Sequence, residues 1–204
     1  NNTAQLTLHR KVDADRLLDF KDRLSEELKD AAQDIKLTVT TLLAKAVVLA
    51  LKEYGAMNAR YENGELTEYD DVHLGIATSL EDGLMVPVIN NADTKSIGTL
   101  AKEIKTSAKA VREGNTGDVQ LSGATFTITN MGASGIEYFT PILNLGETGI
   151  LGVGALAKEL VLEGDQVKQI SRIPLSLTFD HQILDGAGAA DFLKVLAKYI
   201  ENPY

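Results

Sequence analysis

An α/β chain of the two-layer α+β type, a mixed β-sheet covered by helices, is the fold class that the sequence predicts. Strand-like and helix-like segments interleave without the strict alternation that a doubly wound or barrel fold requires. The helix-like segments carry apolar stripes at spacings of three and four, the mark of helices lying on a core. No linker or internal repeat divides the 204 residues, which suit one domain large enough to bury a core without metal or disulfide staples.

The elements follow in order. Gln5 to Val12, with Leu6 and Leu8 alternating, reads as a strand. After Val12-Asp13 a helix begins, with Leu17, Leu18, Phe20, Leu24 and Leu28 largely on one face. Thr38, Thr40 or Thr41 caps a second helix, whose Leu42, Leu43, Ala46, Val47, Ala50 and Leu51 make a stripe broad enough for burial. Asn63-Gly64 is a two-residue hairpin signal within a polar stretch. His73 to Thr78 and Leu84 to Ile89 are β-like runs joined by Glu81-Asp82-Gly83. Ser96 caps a third helix bearing Ile97, Leu100, Ala101, Ile104 and Ala108, and Gly114 ends it. Further strands are Thr125 to Thr129, Gly149 to Val153, Glu159 to Leu162 and Leu175 to Phe179, with a turn at Glu163-Gly164-Asp165. The last helix runs from about Ala187 to Ile200, turning Phe192, Leu193, Leu196, Tyr199 and Ile200 inward.

Composition narrows the chemistry. With no cysteine, disulfides, thiolate nucleophiles and cysteine-rich zinc sites are excluded, and any thiol chemistry belongs to substrates. The net charge of -9 argues against nucleic acid as a partner, so an anionic ligand needs local cations or helix N-termini. The apolar stretch TLLAKAVVLAL contains Lys45 and is too short to span a bilayer. A cytoplasmic or, in a eukaryote, mitochondrial matrix location fits this composition. His9 and His73 sit on separate strand-like segments, so no metal site is expected. The glycines Gly146, Gly149, Gly152 and Gly154 lack the GxGxxG order opening a helix, which argues against a dinucleotide site.

The run Asp180-His181-Gln182-Ile183-Leu184-Asp185-Gly186 carries the most chemistry. It joins the strand-like LSLTF to the last helix, so His181 projects from a turn. Imidazole, with an ordinary pKa of about 6.5, takes and returns protons near neutrality. Asp185 either fixes its orientation or holds the turn. A lone histidine also has a bland reading as a satisfied structural residue, and it is the neighbouring blocks that decide against this.

Those blocks are GATFTITNMG, FTPILN, ILGVG and LSLTFDHQILDG, preceded by MNARYENGELTEYDDVHLGIATSLEDGLMVPVINNADTKSI. In order and spacing they resemble the catalytic domain of the dihydrolipoamide acyltransferases, the E2 components of 2-oxo acid dehydrogenase complexes. The resemblance covers nearly the whole chain. It implies the chloramphenicol acetyltransferase-like fold and acyl transfer, most simply acetyl, from lipoamide to coenzyme A. It further implies His181 as the catalytic base, Asp185 as the motif aspartate and Thr129 as a hydrogen-bond donor to the tetrahedral intermediate. Read without it, Thr129 is a β-branched strand residue. Asn130, Gly154 and Leu156 match positions that line the coenzyme A site, although Gly154 alone would also read as relief at a tight strand end.

The same resemblance implies a homotrimer with active sites between subunits, a lipoyl group supplied by a separate domain, and E1 and E3 partner components, with no metal, nucleic acid or membrane. It places a pyruvate- or acetoin-type complex ahead of the succinyl branch on the FTPILN block. Three departures stand out: Gln182 replaces the usual arginine, the basic arm expected before the first strand is missing at Asn1, and the apolar C-terminal tail stops short at Tyr204. The chain is therefore expected to be a catalytic domain lacking that arm and the preceding lipoyl and partner-binding domains. Competing readings are a stand-alone coenzyme A-dependent acetyltransferase of the same fold and a non-catalytic structural core.

Overall fold

Seven strands form one mixed sheet in the order β1 (Gln5–Asp13), β11 (Gln166–Asp180), β9 (Gly149–Val153), β8 (Phe126–Asn130), β4 (Leu74–Ile76) and β7 (Val88–Ile89), with β10 (Ala157–Glu163) paired to the first half of β11 on the edge opposite β1. The computed structural model describes residues 4–31 and 35–203, so the expectations placed on Asn1 and Tyr204 lie outside it. In chain order the elements are β1 (Gln5–Asp13), α1 (Asp15–Asp30), α2 (Val39–Glu53), β2 (Ala59–Glu62), β3 (Glu65–Glu68), β4 (Leu74–Ile76), β5 (Thr78–Leu80), β6 (Gly83–Met85) and β7 (Val88–Ile89). They continue with α3 (Ile97–Arg112), β8 (Phe126–Asn130), β9 (Gly149–Val153), β10 (Ala157–Glu163), β11 (Gln166–Asp180) and α4 (Gly186–Glu201). β8 lies parallel to both β4 and β9, and the other pairs are antiparallel.

Side chains alternate across a strand, and that alternation separates the two faces of the sheet. Phe126 and Ile128 of β8, Leu151 and Val153 of β9, and Leu175, Leu177 and Phe179 of β11 enter one core with the helices. Burying each such side chain contributes about 1.5–3 kcal/mol. Phe192 of α4 ties the layers together, its ring 5.8 Å from Phe126 of the sheet and 6.2 Å from Tyr54 beyond α2. Thr127, Thr129, Gly152, Ser176 and Thr178 therefore face the other way, toward what is here called the outer face.

Local chemistry sets the helix ends. Thr38 caps α2 by accepting the Thr41 N–H at 3.2 Å, and Ser96 caps α3 by accepting the Thr99 N–H at 3.2 Å. Asn63 and Gly64 both adopt positive φ, 52° and 79°, as a two-residue turn closing β2 onto β3 requires.

Three elements differ from the sequence expectation. The runs around Glu81-Asp82-Gly83 divide: β5 and β6 close a short separate ribbon, while β4 and β7 pair in the main sheet. β11 extends over 15 residues because its polar first half pairs with β10. In α1 only Leu17 is fully buried; Leu18, Phe20, Leu24 and Leu28 are half-buried.

Candidate active site

The end of β11 is built to expose a histidine. Phe179 is anchored in the core and Asp180 is also buried. The Asp180 carboxylate accepts the Gln182 N–H at 3.0 Å, while its carbonyl accepts the N–H groups of Ile183 and Leu184, each at 3.0 Å. One residue thus folds the turn from both sides. His181 stands outside it, exposed, with its backbone N–H donating to the Ala4 carbonyl at 2.7 Å. Its ring centroid lies 6.3 Å from that of Phe179, and among the described residues the imidazole has no hydrogen bond.

Asp185 holds the turn, the second of the two roles the sequence left open. It is the N-cap of α4, its carboxylate accepting the Gly188 N–H at 2.7 Å. A Cβ at Gly188 would stand 2.7 Å from the Tyr54 hydroxyl, so the helix start packs directly on that phenol. Burial, then the charges of Asp191 and Asp185, push the Tyr54 phenol above its ordinary pKa. Gln182 is exposed, and its backbone completes the Asp180 turn.

Thr129 lies at the opposite end of the sheet. It pairs with Gly152, and Gly152 pairs with Ser176, five residues before His181 on β11. At about 3.4 Å per residue, roughly 17 Å of strand separates the two positions within one chain. The Thr129 side chain points to the outer face, is half-buried, and has no hydrogen bond among the described residues.

The three positions matched to coenzyme A have different surroundings. Asn130 accepts the Gly132 N–H at 2.8 Å and donates to the Thr40 hydroxyl at 2.9 Å, tying β8 to the first turn of α2. It lines a cleft of about 480 Å³ that also takes in Thr38, Thr40, Ser79, Arg112 and Ser134. Gly154 and Leu156 are not in that lining. Gly154 is buried where residues 136–139 cross the strand end: its added Cβ would stand 1.8 Å from the Glu137 carbonyl oxygen. Leu156 is exposed. The glycines that superficially suggest a nucleotide loop thus allow close approach, with Gly152 facing the Phe139 ring and Gly149 facing Met57 and Phe126.

Neither remaining histidine joins a metal-binding group among the described residues. His9 Nδ1 is 2.8 Å from the Ser176 hydroxyl, and His73 Nδ1 accepts the Asn91 N–H at 3.2 Å. Sequence reasoning passed over Asp180 as the organiser of the turn, although an aspartate two residues before an exposed backbone N–H is a recognisable turn former. It passed over Arg112 as well, for which the local sequence carries no signal.

Residues 1–204 match the family described as 2-oxoacid dehydrogenases acyltransferase (catalytic domain). The chain belongs to this family. The acetyltransferase component of the Bacillus subtilis acetoin cleaving system is 46% identical over 202 residues, 99% of this chain and 50% of that protein. The chain spans about half the length of the curated relatives it matches. A solved Azotobacter vinelandii dihydrolipoamide acetyltransferase, studied for the roles of a serine, a histidine and an asparagine in its catalytic mechanism, superposes with a TM-score of 0.92. It is 35% identical, over 99% of this chain and 83% of that one. A chloramphenicol acetyltransferase, 15% identical with a TM-score of 0.58 over 97% and 89% of the two chains, shares the fold of this family member.

Proposed function

We propose that this chain transfers an acetyl group from dihydrolipoamide to coenzyme A, in a complex of the acetoin or pyruvate type, with His181 as general base. The observation that carries this reading is the exposed imidazole, without a hydrogen bond among the described residues, held on the turn that Asp180 and Asp185 fold. A thiol of pKa about 8.5 is little ionised at neutrality, so a base within reach is needed to form the attacking thiolate. His181 takes the proton of the coenzyme A thiol as its sulfur attacks the thioester carbonyl. Thr129 donates its hydroxyl to the oxygen on which charge gathers, worth about 3 kcal/mol for one well-placed donor. Collapse breaks the carbon–sulfur bond to the lipoyl thiolate, and His181 returns the proton to that sulfur. No acyl-enzyme forms.

Three further observations support the assignment. In the Azotobacter vinelandii relative, the studied serine stands 52 residues before the histidine and the asparagine four after it, the spacing of Thr129, His181 and Asp185 here. The separation of Thr129 from His181 within one chain favours a site shared between neighbouring subunits, as in a homotrimer. The cleft beside Asn130 suits coenzyme A: its volume falls within the usual range for small-molecule sites, and Arg112 supplies a cation for an anionic ligand in a chain whose net charge is -9. A separate domain supplies the lipoyl group, E1 and E3 components complete the complex, and the setting is cytoplasmic. No helix among the described residues is long and apolar enough to cross a membrane.

The deciding experiment is a coupled assay of acyl transfer between coenzyme A and dihydrolipoamide with wild type, His181→Ala and Thr129→Val. His181→Ala should lower kcat by several orders of magnitude with the fold intact, and Thr129→Val should lower kcat far more than it changes KM. Equal turnover in wild type and His181→Ala would sink the base assignment. Acetylation of a small hydroxyl acceptor without lipoamide would favour a stand-alone acetyltransferase, and assembly without any transfer a structural core.

A further inference from the structure

We propose that Tyr54 is a positioning residue for the catalytic base: its hydroxyl braces the first turn of α4, and through it the turn that carries His181. This rests on the reading of His181 as the base. The imidazole has no hydrogen bond among the described residues, so its place is inherited from the backbone of residues 180–188. Asp180 and Asp185 fold that backbone from within. Tyr54 reaches it from another element.

Three groups converge where Gly188 lacks a side chain. A Cβ there would stand 2.7 Å from the Tyr54 hydroxyl, 3.1 Å from Leu184 Cδ1 and 3.2 Å from Asp185 Oδ1. Leu184 and Asp185 belong to the turn itself, whereas Tyr54 follows directly on α2 as its C-cap. Gly188 does not have a positive φ, so space, and not backbone freedom, is what this glycine supplies. The phenol oxygen and the carboxylate that caps α4 are thus neighbours at the helix start.

The brace has a fixed base. α2 is buried along most of its length, and the Tyr54 N–H donates to the Ala50 carbonyl at 2.8 Å. The Tyr54 ring meets Phe192, fully buried in α4, edge-on at a centroid distance of 6.2 Å. Swinging the ring away would forfeit that contact. Burial, then the charges of Asp191 and Asp185, raise the phenol pKa, so the group stays an uncharged hydroxyl beside the helix cap. A reacting group displaced by on the order of 1 Å loses about 100-fold in rate, which is how a contact in the first turn of α4 comes to matter for turnover.

The test measures kcat, KM for coenzyme A and melting temperature in wild type, Tyr54→Phe, Gly188→Ala and the double variant. Gly188→Ala sets a methyl against the phenol oxygen and should lower kcat by about tenfold or more, with KM within about twofold, although alanine is the better helix former. Tyr54→Phe leaves a gap the size of one oxygen and should lower kcat by less. In the double variant the methyl enters that gap at ordinary van der Waals distance, so kcat should return to within about threefold of wild type. A role in stability alone would move the melting temperatures of the single variants and leave the kcat of folded protein unchanged, which overturns the proposal. So would losses that simply add in the double variant, or losses confined to KM. Should Gly188→Ala not fold, a kcat loss in Tyr54→Phe that the double variant restores upholds the brace, and any other pattern overturns it. Turnover that survives His181→Ala overturns the base reading, and this inference with it, whereas unchanged kcat in the Tyr54 and Gly188 variants leaves that reading standing.

Discussion

The Asp185 carboxylate accepts the Gly188 N–H at 2.7 Å, so the acid four residues after His181 is engaged with the helix that follows the turn. Asparagine caps as well as aspartate, whereas alanine forfeits about 1 kcal/mol. Asp185→Asn should therefore keep the melting temperature within error, and Asp185→Ala should lower it by about 2–4 °C for a chain of this size. Acetyl transfer should fall more in the alanine variant, because the His181 turn loses its anchor. Equal losses in both variants would mean that the negative charge, and not the cap, is what the site uses.

At Gly154, the close approach of the Glu137 carbonyl leaves no space for a side chain, and Pro174 Cγ lies 2.6 Å from the same added Cβ. Backbone has to move to admit even a methyl group. Gly154→Ala should cost about 3 kcal/mol by overpacking, whereas Gly117→Ala, with nothing within 4 Å of its added Cβ, should stay within about 0.5 kcal/mol. Urea unfolding of the two variants at one protein concentration provides the comparison, and similar midpoints would refute it.

Glu147 gives a pH dependence of known sign. It is buried, and that burial pushes its carboxyl above the ordinary range despite the Thr127 hydroxyl bond at 2.6 Å and the nearby Arg60 guanidinium. A carboxyl with a raised folded pKa binds its proton more tightly when folded, so its contribution is present in full below the unfolded value. It is lost as the pH rises from there through the folded value. Glu147→Gln removes that loss while keeping an oxygen for Thr127. The melting temperature of Glu147→Gln relative to wild type should rise between about pH 4.5 and neutrality; a difference that stays flat, or reverses, across that window contradicts the burial account.

What the sequence made legible was mostly local. Ser96, and Thr38 as one of three candidate threonines, marked two helix starts because a capping hydroxyl acts on an N–H three residues away. The apolar alternation of β8 and β9 showed itself directly. The division of β4 and β7 from β5 and β6 was hidden, because Glu81-Asp82-Gly83 signals only the nearest turn while β4 also takes β8 as a parallel partner. Likewise the first half of β11 is polar and exposed, so no apolar pattern announces a strand. His181 was readable from its motif and family blocks. Its distance from Thr129 was not, since that depends on the register of three strands far apart in sequence, and neither was Phe139, which reaches Gly152 from a segment without regular structure.

That register leads to the strongest test of the shared site. His181→Ala keeps Thr129, and Thr129→Ala keeps His181, so each protein alone should be nearly inactive. When equal amounts are dissociated and reassembled at random into trimers, three trimers in four contain both variants. In each of these, going round the ring, one of the three interfaces joins an intact histidine to an intact threonine. Activity should therefore return to about a quarter of wild type, and only after subunits exchange. Mixing without dissociation should leave it at the level of the separate variants. Fully active monomers in light scattering, or reassembled trimers with no recovery, would show that Thr129 and His181 do not meet across a subunit boundary.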